Sequence, residues 1–71
     1  MPYETNEDLP PAIRSHLPAA AQTLFRETFN GAWARYQCDP RQEEIAHRIA
    51  WTAIKRRYVK SDGMWLPRDT E

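Results

Sequence analysis

The residues of this sequence that could do chemistry are few. Glu43 and Glu44 precede His47 at a spacing that brings a carboxylate and an imidazole to neighbouring positions on a helix. Paired Glu-x-x-His motifs build two-metal sites in helical bundles, but this chain has one copy and one other histidine, His16. Because a protein-bound metal ion needs several such ligands, we expect no metal site. We interpret His47 as a packing residue that is hydrogen-bonded to Glu43, Glu44 or the backbone.

The candidate catalytic nucleophiles lack the partners that would activate them. Cys38 has no histidine near it in sequence, and the adjacent Asp39 disfavours the reactive thiolate. Ser15 precedes His16 directly, but no third residue completes a triad. With only two glycines in the chain, a glycine-rich phosphate loop is excluded. We therefore predict that the protein is not an enzyme and binds no cofactor.

The charged residues are distributed unevenly, although the formal net charge is zero. Between residues 45 and 60 there are five basic residues and no acidic one, whereas Glu4, Glu7 and Asp8 lie near the N-terminus. The five, called the basic cluster below, are Arg48, Lys55, Arg56, Arg57 and Lys60. We predict that they bind an acidic protein partner. Two alternatives are purely structural: the cations complement a helix dipole, or they pair with the acidic N-terminal residues.

Nucleic-acid phosphate is the alternative partner for the basic cluster, and the zero net charge disfavours it. No apolar run approaches the roughly 20 residues that a membrane span needs. The acidic N-terminus lacks the features of a secretory signal, and an unpaired cysteine is typical of a reducing compartment. We therefore expect a small cytoplasmic protein that does not span a membrane.

One domain, residues 1–71, must position these side chains, and its core must come from three tryptophans, three tyrosines and two phenylalanines. A short first helix is predicted from about Pro10 to His16. Asn6 to Asp8 offer capping side chains before it, and Leu17-Pro18 ends it, because the residue before a proline avoids helical geometry.

A longer second helix is predicted after Pro18, because apolar residues recur at three- and four-residue spacing from Ala21 to Tyr36. Asn30-Gly31 could instead turn a hairpin. The helical period continues on both sides of this pair, so we predict that the helix runs through it at a cost of about 1 kcal/mol for the glycine. We expect the Asn30 amide to hydrogen-bond a neighbouring turn or strand and so to fix how the helix packs.

The third helix is predicted to be capped by Asp39, with Pro40 in its first turn and Gln42 or Glu43 completing a capping box. Apolar residues from Ile45 to Tyr58 cover most of its circumference, which predicts a central helix around which the others pack, with Trp51 in the core.

A small two-stranded sheet formed by the two termini is predicted to complete the fold. Ser61-Asp62-Gly63 breaks the third helix. The short apolar segment Met64 to Leu66 is then expected to pair with Met1 to Thr5, packed against the helices.

Motifs spread over nearly the whole chain resemble one known family. They are Met1-Pro2-Tyr3, Asp8-Leu9-Pro10, Leu17-Pro18, Ala21-Gln22, Phe29-Asn30, Ala32-Trp33, Tyr36, Glu43-Glu44, Ala46-His47, Ala50-Trp51, Ala53, Lys55, Tyr58 and Trp65. In these motifs the chain is similar to the ChaB family, small bacterial and viral proteins named as regulators of cation transport.

The resemblance implies three helices and a small sheet in a compact, cyclin-box-like arrangement. It also implies a regulatory role beside a cation/proton antiporter that exports calcium, sodium or potassium. Many relatives have a longer, charged loop between the second and third helices, whereas Gln37 to Pro40 is brief here. If that loop binds cations in relatives, this chain lacks the means to do so.

Overall fold

The structure is a computed structural model that describes residues 2–68. After a 3₁₀ turn at Asn6–Asp8 come α1 (Pro11–Arg14), α2 (Ala19–Arg35) and α3 (Gln42–Arg57). They are followed by two strands, β1 (Tyr58–Ser61) and β2 (Met64–Pro67). The predicted fold class, mostly helical with a small two-stranded sheet, is confirmed.

The N-terminal segment is held by α2 through Asn6, whereas the Asp8 carboxylate accepts a hydrogen bond from the Thr5 N–H within the segment. Asn6 Oδ1 accepts a hydrogen bond from Arg26 Nε at 2.8 Å, and Asn6 Nδ2 donates to Thr23 Oγ1 at 3.0 Å. The N-cap position of α1 is Pro10, which has no capping side chain. The prediction that Asn6 to Asp8 cap α1 is therefore wrong.

Helix α2 runs straight through Asn30-Gly31, as its apolar period predicts. Its buried face consists of Ala21, Phe25, Phe29 and Ala32, and both phenylalanine rings are fully buried. Four residues at this spacing form one continuous stripe, so the period of the sequence and the face of the helix coincide.

Helix α3 begins at Gln42, later than predicted, because Asp39 closes a turn ahead of the helix. Asp39 Oδ1 accepts a hydrogen bond from the Arg41 backbone N–H at 2.8 Å, and the Asp39 carbonyl accepts one from Gln42 N–H at 3.0 Å. Asp39 therefore competes with helix capping through a local turn, and the predicted capping box is wrong. Gln42 Nε2 instead donates to Trp33 O at 2.8 Å and ties the start of α3 to α2.

Helix α3 buries one face and not most of its circumference. Ala46, Ala50 and Ile54 are completely buried, whereas His47 is exposed and Trp51 is only half-buried. A chain this short has no further layer of structure to cover the flanks of α3. Apolar residues therefore surround most of the helix, but only one face of it is buried. The largest buried side chains belong to α2, and α3 contributes mainly small residues to the contact between them.

The sheet is a hairpin of consecutive strands, not a pairing of the two termini. β1 and β2 are antiparallel and join through Asp62-Gly63, whose φ angles are 51° and 81°. Two residues with positive φ are typical of the type I′ turn that an Asp-Gly pair favours. The prediction that Met64 to Leu66 pair with Met1 to Thr5 is therefore wrong; Met1 itself lies outside the described residues.

Candidate partner-binding surface

All five residues of the basic cluster are exposed. Four of them come from α3, of which Lys55, Arg56 and Arg57 form its last turn, and Lys60 follows in β1. Cations in the last turn of a helix complement its dipole, so that structural alternative remains compatible with the arrangement. The side chains nevertheless remain accessible to a partner.

The second structural alternative, pairing with the acidic N-terminal residues, is wrong for residues 2–68. In this part of the chain both ion pairs use Glu44, with Arg48 Nη2 at 3.5 Å and Arg41 Nε at 3.9 Å. No ion pair joins Glu4, Glu7 or Asp8 to the basic cluster there. The charges of Lys55, Arg56, Arg57 and Lys60 are therefore not neutralised by a described carboxylate.

The basic cluster divides between two grooves on opposite flanks of α3. Arg48, Arg56 and Arg57 border a groove of about 490 Å³ that also involves Leu24 and Thr28 of α2. Lys55 and Lys60 border a second groove of about 550 Å³, formed by α1, α3 and the hairpin. The sequence analysis treated the five basic residues as one surface. In the structure the three arginines border one groove and the two lysines border the other.

The second groove has an aromatic floor that the sequence-based prediction missed. The Trp51 and Trp65 rings lie with their centroids 5.8 Å apart, and both side chains are half-buried. Lys60 is the cross-strand partner of Trp65, so the hairpin register places the lysine beside this floor. The signal that could have revealed it is Asp62-Gly63, since a two-residue turn fixes the register of the strands around it.

Arg68 is a second residue that sequence reasoning missed. Its guanidinium donates to the Lys55 carbonyl from Nε at 3.1 Å and from Nη2 at 2.9 Å, and its backbone N–H donates to Arg57 O at 2.9 Å. Arg68 thus satisfies carbonyls that the end of α3 leaves without helical partners. No local pattern in the sequence predicts this contact, because Arg68 reaches the end of α3 only after the hairpin has reversed the direction of the chain.

The residues weighed for metal binding and catalysis form a few pairs, such as Ser15 Oγ and His16 Nδ1 at 3.3 Å, but no larger cluster among the described residues. Within residues 2–68, no three His, Cys, Asp or Glu side chains are grouped so as to hold a metal ion. His47 packs edge-on against Phe25, with ring centroids 5.7 Å apart. Cys38 is exposed. His16 Nδ1 lies 2.7 Å from the Ala12 carbonyl and must donate to it, because that oxygen can only accept.

The Asn30 amide hydrogen-bonds the backbone of a neighbouring segment, as predicted, although Tyr3 lies in neither a turn nor a strand. Asn30 Oδ1 accepts from the Tyr3 N–H at 2.8 Å, and Asn30 Nδ2 donates to the Tyr3 carbonyl at 2.7 Å. The Tyr3 ring lies against Phe29, with centroids 5.0 Å apart. Partial burial, and to a lesser extent the charge of Glu43, raises the pKa of the Tyr3 hydroxyl. Asn30 therefore fixes a structural contact.

Comparison with known proteins assigns the family of the chain. The ChaB family model matches residues 9–68. The chain belongs to the ChaB family. An Escherichia coli (strain K12) protein named "Putative cation transport regulator ChaB" is 43% identical over 68 residues, which cover 87% of this chain and 90% of that protein.

Two further comparisons found a viral protein and a solved structure. A protein of the LEF8-FP intergenic region of Lymantria dispar multicapsid nuclear polyhedrosis virus is 37% identical over 54 residues, covering 76% of this chain and 72% of its own length. An NMR solution structure of a ChaB protein superposes with a TM-score of 0.83 at 40% identity, covering 96% of this chain and 100% of the other. The helical ChaB fold is thereby shown for this chain. Within residues 2–68, no helix has both the length and the apolar character needed to cross a membrane.

Proposed function

We propose that this protein is a non-catalytic regulator of cation transport that docks in the cytoplasm on an acidic surface of its partner. The partner we propose is a cation/proton antiporter for calcium, sodium or potassium. The name of the E. coli relative, a regulator of cation transport, supports the process. The observation that carries the docking mechanism is the exposed basic cluster, of which four members lack a described carboxylate partner.

Exposed unpaired charge favours recognition because it adds little to folding. An exposed ion pair contributes about 0–1 kcal/mol and a cation in the last turn of a helix about 0.3–1 kcal/mol, so each member of the basic cluster adds only modestly to the stability of α3. At an interface the same charges steer an acidic partner and select its orientation. The interleaved apolar side chains, such as Ile49 and Trp51, would bury area on docking.

The test compares capture by three forms of the protein from a lysate of its native host. R48E/K55E reverses the charge of one residue in each groove, and R14E/R35E reverses two exposed arginines outside the cluster as the matched control. Each reversal removes a helix-dipole contact or an exposed ion pair that contributes about 1 kcal/mol or less, so the two double variants should lose similar stability and both remain folded in thermal melts.

We expect the wild type and R14E/R35E to capture a cation transporter, identified by mass spectrometry, and R48E/K55E to lose it. If R48E/K55E retains the transporter, or if no transporter is captured by any form, the proposed function is wrong. Unfolding of R48E/K55E alone would show that the basic cluster is structural and would also contradict the proposal.

A further inference from the structure

The groove between α1, α3 and the hairpin combines an aromatic floor with a cationic rim. Trp51 and Trp65 form the floor, and the buried side chain of Ile13 supports it from α1. Both tryptophans pack against the core, and Trp51 also meets Phe25 edge-on at 5.2 Å between centroids. The floor is therefore preorganised, which lowers the entropic cost of binding.

The rim carries only basic or neutral groups. Lys55 and Lys60 are exposed and border the groove from α3 and β1. His16 and His47 lie on the same rim, and Nδ1 of His16 donates a hydrogen bond to the Ala12 carbonyl. No acidic side chain lines the groove among residues 2–68. Lys55 and Lys60 lack a carboxylate within 4.0 Å in this part of the chain.

We propose that this groove binds an acidic peptide segment of the partner by stacking one of its aromatic side chains on Trp51 and Trp65. Carboxylates that flank the aromatic side chain would contact Lys55 and Lys60, so ring and charge are recognised together. The proposal rests on the proposed function and narrows it to one of the two grooves beside α3.

A peptide suits this groove better than a nucleic acid does, although bases also stack on tryptophan. Single-stranded nucleic acid needs a row of cations along its backbone, and this groove offers two lysines. The three arginines of the basic cluster border the other groove. A short acidic segment needs only one or two cations on either side of its anchoring side chain.

The probe is the synthetic peptide acetyl-Glu-Asp-Glu-Phe-Glu-Asp-Glu-amide, titrated into the isotope-labelled protein and followed by NMR. A second peptide with glycine in place of phenylalanine tests the need for the ring. The indole N–H signals of Trp51 and Trp65 report on the groove, and that of Trp33, which stacks on Phe29 at 5.9 Å outside the groove, is the internal control. Dispersed spectra verify that each variant is folded.

We expect saturable shifts of Trp51 and Trp65 with the phenylalanine peptide, and none of Trp33. K55E/K60E should weaken this binding by at least about tenfold, and the matched control R14E/R35E, outside the basic cluster, should change it less than about threefold. Equal shifts with the glycine peptide, retained affinity in K55E/K60E, or an absence of saturable shifts would overturn the proposal. Tighter binding of an eight-residue oligothymidylate to the same signals would overturn it in favour of nucleic acid.

Capture of the transporter separates this proposal from the proposed function. Loss of capture in K55E/K60E alone supports both, whereas loss in R48E/R56E alone preserves the proposed function and refutes the groove as its site. Capture by both variants refutes the proposed function, and the peptide titration then still decides whether the groove binds acidic peptides.

Discussion

At the scale of single residues, the pair formed by Asn30 and Tyr3 shows how one side chain secures a segment. The Asn30 amide presents a donor and an acceptor side by side on one edge, so it pairs with both polar backbone groups of Tyr3. This pairing keeps the tyrosine ring against Phe29. A mid-helix asparagine is unfavourable for the helix itself, and the two hydrogen bonds offset that cost.

The raised pKa of Tyr3 predicts a contribution to stability that depends on pH. Because the folded state raises this pKa above its ordinary value of about 10, it binds the proton more tightly than the unfolded state does. The contribution is fully present below pH 10 and is lost as the pH rises through the folded pKa. The unfolding free energy of the wild type, measured by urea denaturation, should therefore fall relative to that of Y3F above pH 10. A difference that is constant from pH 8 to 11 would contradict this linkage.

At the scale of the elements, the two glycines have opposite roles. Gly31 lies in the interior of α2, and a Cβ added there would meet no heavy atom within 4 Å. Gly63 has φ of 81° in the hairpin turn, a conformation that other residues rarely adopt. Gly31 therefore lowers the stability of α2, whereas the hairpin turn needs Gly63 for its positive φ angle.

We expect G31A to raise the free energy of unfolding by about 0.5–1 kcal/mol, because alanine has the higher helix propensity and restricts the unfolded chain. G63A should lower it by about 1 kcal/mol or more through strain at positive φ. Thermal melts of the two variants beside the wild type measure both changes. A lower melting temperature for G31A would show that α2 needs flexibility at this position.

At the scale of the whole molecule, the two flanks of α3 present their cations in different directions. Lys55 and Lys60 border one groove and Arg48, Arg56 and Arg57 the other. Glu44 lies beside Arg48 and partly offsets its charge. A strand that binds in one groove contacts only the basic residues bordering that groove, two lysines or three arginines.

This division predicts a shallow salt dependence for any binding of single-stranded DNA. Each phosphate contact contributes about −0.7 to the slope of log K against log salt, so two lysines give about −1.4 and all five basic residues about −3.5. Fluorescence anisotropy with a labelled oligothymidylate between 50 and 200 mM salt, roughly the range in which such slopes are resolved, measures it. A slope near −3.5 would show that one strand reaches both flanks and would favour the nucleic-acid alternative.

Local patterns in the sequence determined the elements of this protein. The apolar period from Ala21 to Tyr36 predicted α2 through Asn30-Gly31, because a helix is decided by spacing within a few turns. Spaced motifs also identified the ChaB family, which the match over residues 9–68 confirms. The exposed charges of the basic cluster were readable too, since such residues are rarely buried.

Contacts between residues that are distant in sequence were decided by the tertiary structure alone. The hairpin brings Trp65 back onto Trp51 and lets Arg68 bind the Lys55 carbonyl, although these residues are 13 or 14 positions apart in sequence. Strand pairing depends on which partner the folded core presents, so the predicted pairing of the termini was wrong. The side of α3 on which Lys55 lies acquires its chemistry from α1 and the hairpin, because a groove exists only between elements that have already packed.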